Sequence, residues 1–203
     1  MKVPLLDLKA QYKEIRKEVQ AALREVCESQ YFIGGPKVEE LEASVARYCG
    51  VGHAVGVSSG TDALLGALMA MGVGPGDGVI TSPYTFFATG GSITRLGATP
   101  VFVDIDPRTF NMDPEECRRV LEHRPTRLAK LKMKVMMPVH LFGQAAEMEP
   151  LLDLAREYDL RVVEDAAQAI GTFLPTGPVG HGDNLVCFSF YPTKNLGAFG
   201  DAG

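Results

Sequence analysis

Two residues in the chain have the type and the setting to do chemistry. Lys194 follows the apolar run Leu185-Val186-Cys187-Phe188 by way of Tyr191-Pro192-Thr193, and Gly197, Gly200 and Gly203 come after it. An amine just past a strand, among aromatics and on a backbone free to bend, is placed to condense with a carbonyl. The same lysine also fits a solvated charge on a surface loop. Asp165 closes the run Val162-Val163-Glu164 and precedes Ala166-Ala167-Gln168. It is either a helix cap or a carboxylate turned from a buried strand into a cleft, where it needs a cationic partner. A third feature is the turn Ser59-Gly60-Thr61-Asp62 in front of the apolar stretch 63–72. Free N–H groups at a helix start bind phosphate, and small polar residues also serve there as plain N-caps. The turn lacks the G-x-x-x-x-G-K-[ST] pattern, so it is no nucleoside-triphosphate loop. With an aromatic face added at Phe86, these are the parts that hold pyridoxal 5'-phosphate. The amine meets the aldehyde as a Schiff base, the carboxylate faces the pyridine nitrogen, and helix amides and hydroxyls take the phosphate.

The elements that must position these residues alternate along the chain. Tyr12, Ile15, Val19, Leu23 and Val26 share one stripe over 9–28, which predicts an amphipathic helix. Residues 30–35 form an aromatic loop that either fills core or reaches another subunit. Pro36 then starts a second helix and Gly50 stops it. Beyond it the pattern predicts strands at 53–58, 79–81, 100–103, 135–139, 161–164 and 185–188. Helices are expected after the turn at 59–62, near 86–96, and at 113–122 and 147–158, with a basic, solvated connection over 123–134. This alternation implies an α/β fold: a mostly parallel sheet sandwiched by helices, with ligands at the carboxyl ends of the strands. Thr61, Phe86, Asp165, Ser189 and Lys194 all fall just past a strand end or one turn beyond it.

Composition narrows the classes. A chain of 203 residues, 46% hydrophobic and 22% charged, suffices for one large domain. A net charge of −5 offers no basic footprint for nucleic acid, so an anionic ligand must be held by local groups. Cys27, Cys49, Cys117 and Cys187 are scattered without a C-x-x-C pair. That favours buried free thiols in a reducing compartment over disulfides or a metal site. Lys2, Asp7 and Lys9 leave no apolar segment for a signal peptide, and no uncharged stretch is long enough for a membrane span. The expected location is the cytoplasm. A single histidine after a strand, His140, reads as a structural hydrogen-bonding group.

The motifs PLLDLKAQY, FIGGPKVEELE, SSGTDAL, SPYTFFAT, GATPVFVDID, PVHLFGQ, VVEDAAQAIG and SFYPTKNLGAFGDAG occur in this order over nearly the whole chain. Together they resemble the DegT/DnrJ/EryC1/StrS sugar aminotransferases, pyridoxal-phosphate enzymes of fold type I. The resemblance implies the large domain of an aspartate-aminotransferase-like fold over 1–203, truncated, with the C-terminal small domain absent. It implies that Lys194 is the Schiff-base lysine and proton shuttle, and that Asp165 pairs with the pyridine nitrogen. Gln168 would contact the ring's hydroxyl side and Phe86 would stack. Gly60, Thr61, Asp62 and Ser189 match the phosphate cradle. Related sugar dehydratases carry histidine at the lysine position, so Lys194 points to transamination. The implied reaction moves an amino group, usually from glutamate, onto a keto carbon of a nucleotide-linked sugar, in a homodimer. The YPTKNLG and GDAG wording leans toward 3-keto sugars. A shortened, non-catalytic member that acts by binding alone is the alternative. A transcriptional regulator finds no basic face to support it.

Overall fold

The structure is a computed structural model that describes residues 3, 4 and 6–203. Lys2 and Leu5, which the sequence argument used, lie outside the described residues. Asp7 accepts the N–H of Ala10 at 3.0 Å and so caps α1 (Leu8–Ser29), which ends at Gln30 in the left-handed conformation. After the loop 30–35, Pro36 opens α2 (Pro36–Cys49). The amphipathic stripe forms as expected, yet no residue of α1 is buried, and Tyr31, Phe32 and Ile33 of the loop are exposed. The loop is therefore not core filler in this chain. Contacts divide the chain into two units, Met1–Tyr48 with Gly52–Gly56, and Cys49–Val51 with Val57–Gly203. A single large domain was the expectation from the motifs.

The second unit carries α3 (Gly60–Ala70), β1 (Asp77–Thr81), α4 (Phe87–Arg95), β2 (Thr99–Phe102), α5 (Pro114–Glu122) and β3 (Lys132–Met137). These are followed by α6 (Met148–Glu157), β4 (Arg161–Asp165), the two-stranded hairpin β5 (Phe173–Leu174) and β6 (Gly177–Pro178), and β7 (Leu185–Cys187). Five strands form one sheet in the order β2-β1-β3-β4-β7, every pairing parallel. The chain runs outward from β1 to β2 and returns on the other side of β1 for β3, so the crevice at the strands' carboxyl ends opens where the order reverses.

Adjacent strand residues face opposite sides of a sheet, and both sides here are apolar. Ile80, Met136 and Val162 pack with Cys117, Leu121, Leu151 and Leu154 of α5 and α6. Val79, Val135 and Val163 pack with Leu64, Leu68 and Ile93 of α3 and α4. One residue of register separates the two cores, which is why these strands read as continuous apolar runs.

Three expectations need correction. Residues 53–58 form no strand: Gly56 N–H is taken by Glu42 Oε1 at 2.7 Å, and only Val57 pairs, exchanging bonds of 2.9 and 3.1 Å with Gly203. The connection 123–134 is not wholly solvated, since a 3-10 turn at Thr126–Leu128 buries Leu128 and β3 already starts at Lys132. All four cysteines are free, but Cys27 is exposed on α1 while the other three are buried.

Candidate active site

Asp165 is the last residue of β4 and is 5% exposed. Its backbone is held on both sides: its N–H donates to Pro138 O and its carbonyl accepts from His140 N–H, each at 2.9 Å. The carboxylate accepts from Thr89 Oγ1 on Oδ2 at 2.7 Å and from Ala167 N–H on Oδ1 at 3.2 Å. Burial pushes this carboxyl upward from the usual range, and the hydrogen bonds from Thr89 and Ala167 and the charge of Lys194 pull it back. Asp165 is thus a cleft carboxylate, and the helix-cap alternative falls away.

The neighbouring His140 has the structural role expected of it. Its ring is fully buried; Nδ1 accepts from Ala146 N–H at 3.0 Å, which leaves the proton on Nε2 to donate to Glu164 Oε2 at 2.8 Å. Asn184 Nδ2 completes Glu164 by donating to Oε1 at 2.8 Å. Gln168 Oε1 accepts from Phe142 N–H at 2.8 Å, so the end of this amide left for a ligand is the donor, Nε2. Phe142 itself stands in the left-handed region at φ 56°. Asn111, which accepts from Leu141 N–H, and Thr172, which donates to Gly143 O at 2.6 Å, brace that loop.

Ser59 caps α3 by accepting Asp62 N–H at 3.1 Å. The N–H groups of Gly60 and Thr61 have no partner among the described residues, as expected at the first positions of a helix. Gly60 is required here by space: a side-chain carbon on it would lie 2.6 Å from Ser189 Cβ. That close approach brings the Ser189 hydroxyl, just past β7, to the start of α3. Asp62 turns elsewhere. Its carboxylate accepts from Ser58 and from Ser59, and these bonds hold it below the usual carboxylate range.

Lys194 lies on a loop folded back on itself. Lys194 N–H donates to Tyr191 O at 2.8 Å, Ala198 N–H to Phe190 O at 2.7 Å, and Asn195 Nδ2 to Ile170 O at 2.8 Å. Gly197 packs so closely that a side-chain carbon would fall 2.3 Å from Pro192 O. The lysine is half-buried and enters no ion pair among the described residues.

One cavity of about 460 Å³ gathers these groups, within the ~300–1,000 Å³ usual for small-molecule sites. Gly60, Thr61, Phe86, Asp165, Gln168, Ser189 and Lys194 line it, and Asp62 does not. Phe86 is 71% exposed at the foot of α4. Sequence reasoning missed Thr85, Thr89, Glu164 and Asn184. The pair Thr85 and Thr89, four apart at a helix start, was the only available signal, since hydroxyls so spaced share a face.

A parallel α/β sheet with an amine and a carboxylate facing one cavity at its carboxyl end defines a small-molecule site of the doubly wound class. The chain belongs to the DegT/DnrJ/EryC1/StrS aminotransferase family, whose profile matches residues 13–203. It is 49% identical over 203 residues to the pleiotropic regulatory protein of Geobacillus stearothermophilus, covering 100% of this chain and 52% of that one. It is 43% identical over 202 residues to the dTDP-3-amino-3,4,6-trideoxy-alpha-D-glucose transaminase of Streptomyces venezuelae, covering 100% and 51%. Among solved structures it superposes on S. venezuelae DesV in complex with a ketimine intermediate, with a TM-score of 0.92, 42% identity, and coverage of 100% and 52%. It also superposes on NtdA from Bacillus subtilis with bound cofactor PMP, with a TM-score of 0.86, 34% identity, and coverage of 100% and 44%. The chain spans about half the length of the relatives it matches. No helix among the described residues is long and apolar enough to cross a membrane.

Proposed function

We propose that the chain is the cofactor-binding part of a pyridoxal-phosphate aminotransferase that moves an amino group from glutamate to a nucleotide-linked keto sugar. The observation that carries this is the shared cavity of Lys194 and Asp165 in a chain of this family. The donor set fits the group. Gly60 and Thr61 N–H, with the Thr61 and Ser189 hydroxyls, would hold its phosphate at the positive end of α3. The donor end of Gln168 suits a ring hydroxylate, and Phe86 supplies a face to stack on. Asp62 braces the turn through Ser58 and Ser59; a carboxylate beside a phosphate would repel it.

When bound, pyridoxal 5'-phosphate supplies an aldehyde for amines and a ring that draws electrons away from the carbon being deprotonated. Asp165, a buried carboxylate, would keep a proton on the ring nitrogen by accepting a hydrogen bond from that N–H. The Lys194 amine would be the group that condenses with that aldehyde and, once released, would hold and pass on a proton at the reacting carbon. Its lack of an ion pair among the described residues leaves it available for both tasks. The S. venezuelae relative's name puts the amino group at C3, which supports a 3-keto sugar as acceptor. The free thiols fit a cytoplasmic setting. Exposed Ile15 and Leu23 on α1 support assembly as a homodimer, which sedimentation at micromolar concentration tests.

The test is a half-reaction: chain loaded with pyridoxal phosphate, then glutamate, with 2-oxoglutarate measured. Stoichiometric 2-oxoglutarate is expected. A second reading, binding without catalysis, draws on the regulatory name of the G. stearothermophilus relative. It is favoured if the visible cofactor band forms and no 2-oxoglutarate appears.

A further inference from the structure

The two oxygens of Asp165 are served by different kinds of donor. Ala167 N–H, on Oδ1, can only donate. Thr89, on Oδ2, carries a hydroxyl that can donate or accept, and its Oγ1 lies 2.7 Å from Thr85 Oγ1. A hydroxyl has one proton, so when Thr89 donates to Asp165 it must accept from Thr85. The chain then runs Thr85 to Thr89 to Asp165. With a proton on Asp165 Oδ2 it reverses: Asp165 donates to Thr89, and Thr89 to Thr85. The heavy atoms need not move. Thr89 is fully buried on the first turn of α4, and Thr85 stands just before that helix.

The other groups facing Asp165 cannot do this. His140, after β3, has both ring nitrogens committed to Ala146 and Glu164. Glu164, beside it on β4, is filled by His140 and Asn184. Cys187 on β7 is a buried thiol pushed up to about 12. Lys194, beyond β7, acts on Asp165 through its charge alone.

We propose that Thr85 and Thr89 form a reversible hydroxyl relay that keeps Asp165 hydrogen-bonded in both of its protonation states, and so act as positioning residues for it. Whenever Asp165 carries a proton the chain points outward. When the ring nitrogen arrives, the net change is one O–H bond broken on Asp165 and one N–H bond formed on the ring. Two hydroxyl rotations then point the chain inward. This rests on the cofactor assignment made under Proposed function.

The test is a titration of the purified chain with pyridoxal 5'-phosphate, read as visible absorbance, across a range of pH. Four variants are compared with wild type: Thr89→Val, Thr89→Ser, Thr85→Val and Asp165→Asn. Valine keeps the shape of threonine and removes the hydroxyl. Losing a hydrogen bond to a charged group should weaken binding by Thr89→Val about tenfold and move the pH midpoint of the band. Thr89→Ser should restore both to within about twofold, and Thr85→Val should weaken binding about threefold. Wild-type binding by Thr89→Val, with binding lost in Asp165→Asn, overturns the relay and leaves the cofactor assignment standing. A wild-type chain that takes up no cofactor overturns both. If circular dichroism shows Thr89→Val unfolded, Thr85→Val decides, and unchanged binding there overturns the relay.

Discussion

Asp165 and Lys194 face one cavity from walls of opposite construction. On the Asp165 side, Thr89, His140, Glu164 and Asp165 itself are each buried, and every one of them has its polar atoms paired. No buried side-chain nitrogen or oxygen among the described residues lacks a partner. On the Lys194 side the loop is held mainly by backbone bonds, and Tyr191 and Leu196 are half exposed or more. The difference follows from what each group does in the proposed reaction. A fixed charge opposite a ring nitrogen gains from a dry, rigid, fully satisfied setting. An amine that must form and release a covalent bond needs room and no standing ion pair.

Substitutions can break or sharpen that contrast. Lys194→Ala should have the largest effect: amino transfer from glutamate should fall on the order of 10³-fold, measured as 2-oxoglutarate formed per chain, with the fold intact. Asp165→Asn should lower the same rate about 10²-fold. It should also change how stability responds to pH. In the cofactor-free chain the native carboxyl is raised above its unfolded value by burial. Its stabilisation is therefore full below the ordinary carboxylate value of about 3.9 and is lost as pH rises through the native value. Urea midpoints should show Asp165→Asn gaining on wild type as pH rises above about 4. A constant difference would mean that Asp165 is not raised in the fold.

Gly60→Ala should cost about 1–3 kcal/mol, because Ser189 Cβ occupies the space of the added methyl. Denaturant midpoints check this, and cofactor affinity should fall with them, since Ser189 and the start of α3 are forced apart. Asn195→Ala should be mildest. It removes one bond, to Ile170 O, and should cost about 1 kcal/mol. Amide exchange should quicken in the Lys194 loop and stay unchanged at β4. Equal quickening at both would erase the contrast between the walls.

What could be read from the sequence tracks how local each signal is. Val79-Ile80 and Val162-Val163 read as buried strands because each carries one residue to each core. Asp165 and Lys194 were visible because strand ends are where a parallel sheet presents ligand-binding groups. Residues 53–58 misled because alternation says nothing about who takes a backbone N–H, and Glu42 takes that of Gly56. Asp62 fits a phosphate turn by type, yet its carboxylate closes back on Ser58 and Ser59. The Thr89 bond to Asp165 spans 76 residues, and the Glu164 bonds join three segments that only the folded sheet brings together. Long-range pairings of this kind leave no periodic trace.

Borohydride reduction of the chain incubated with pyridoxal 5'-phosphate, followed by peptide mass mapping, tests the central claim most directly. The account predicts a single stable adduct, on the peptide bearing Lys194, that is absent from Lys194→Ala. An adduct spread over exposed lysines such as Lys130 and Lys132, or no adduct at all, would contradict it.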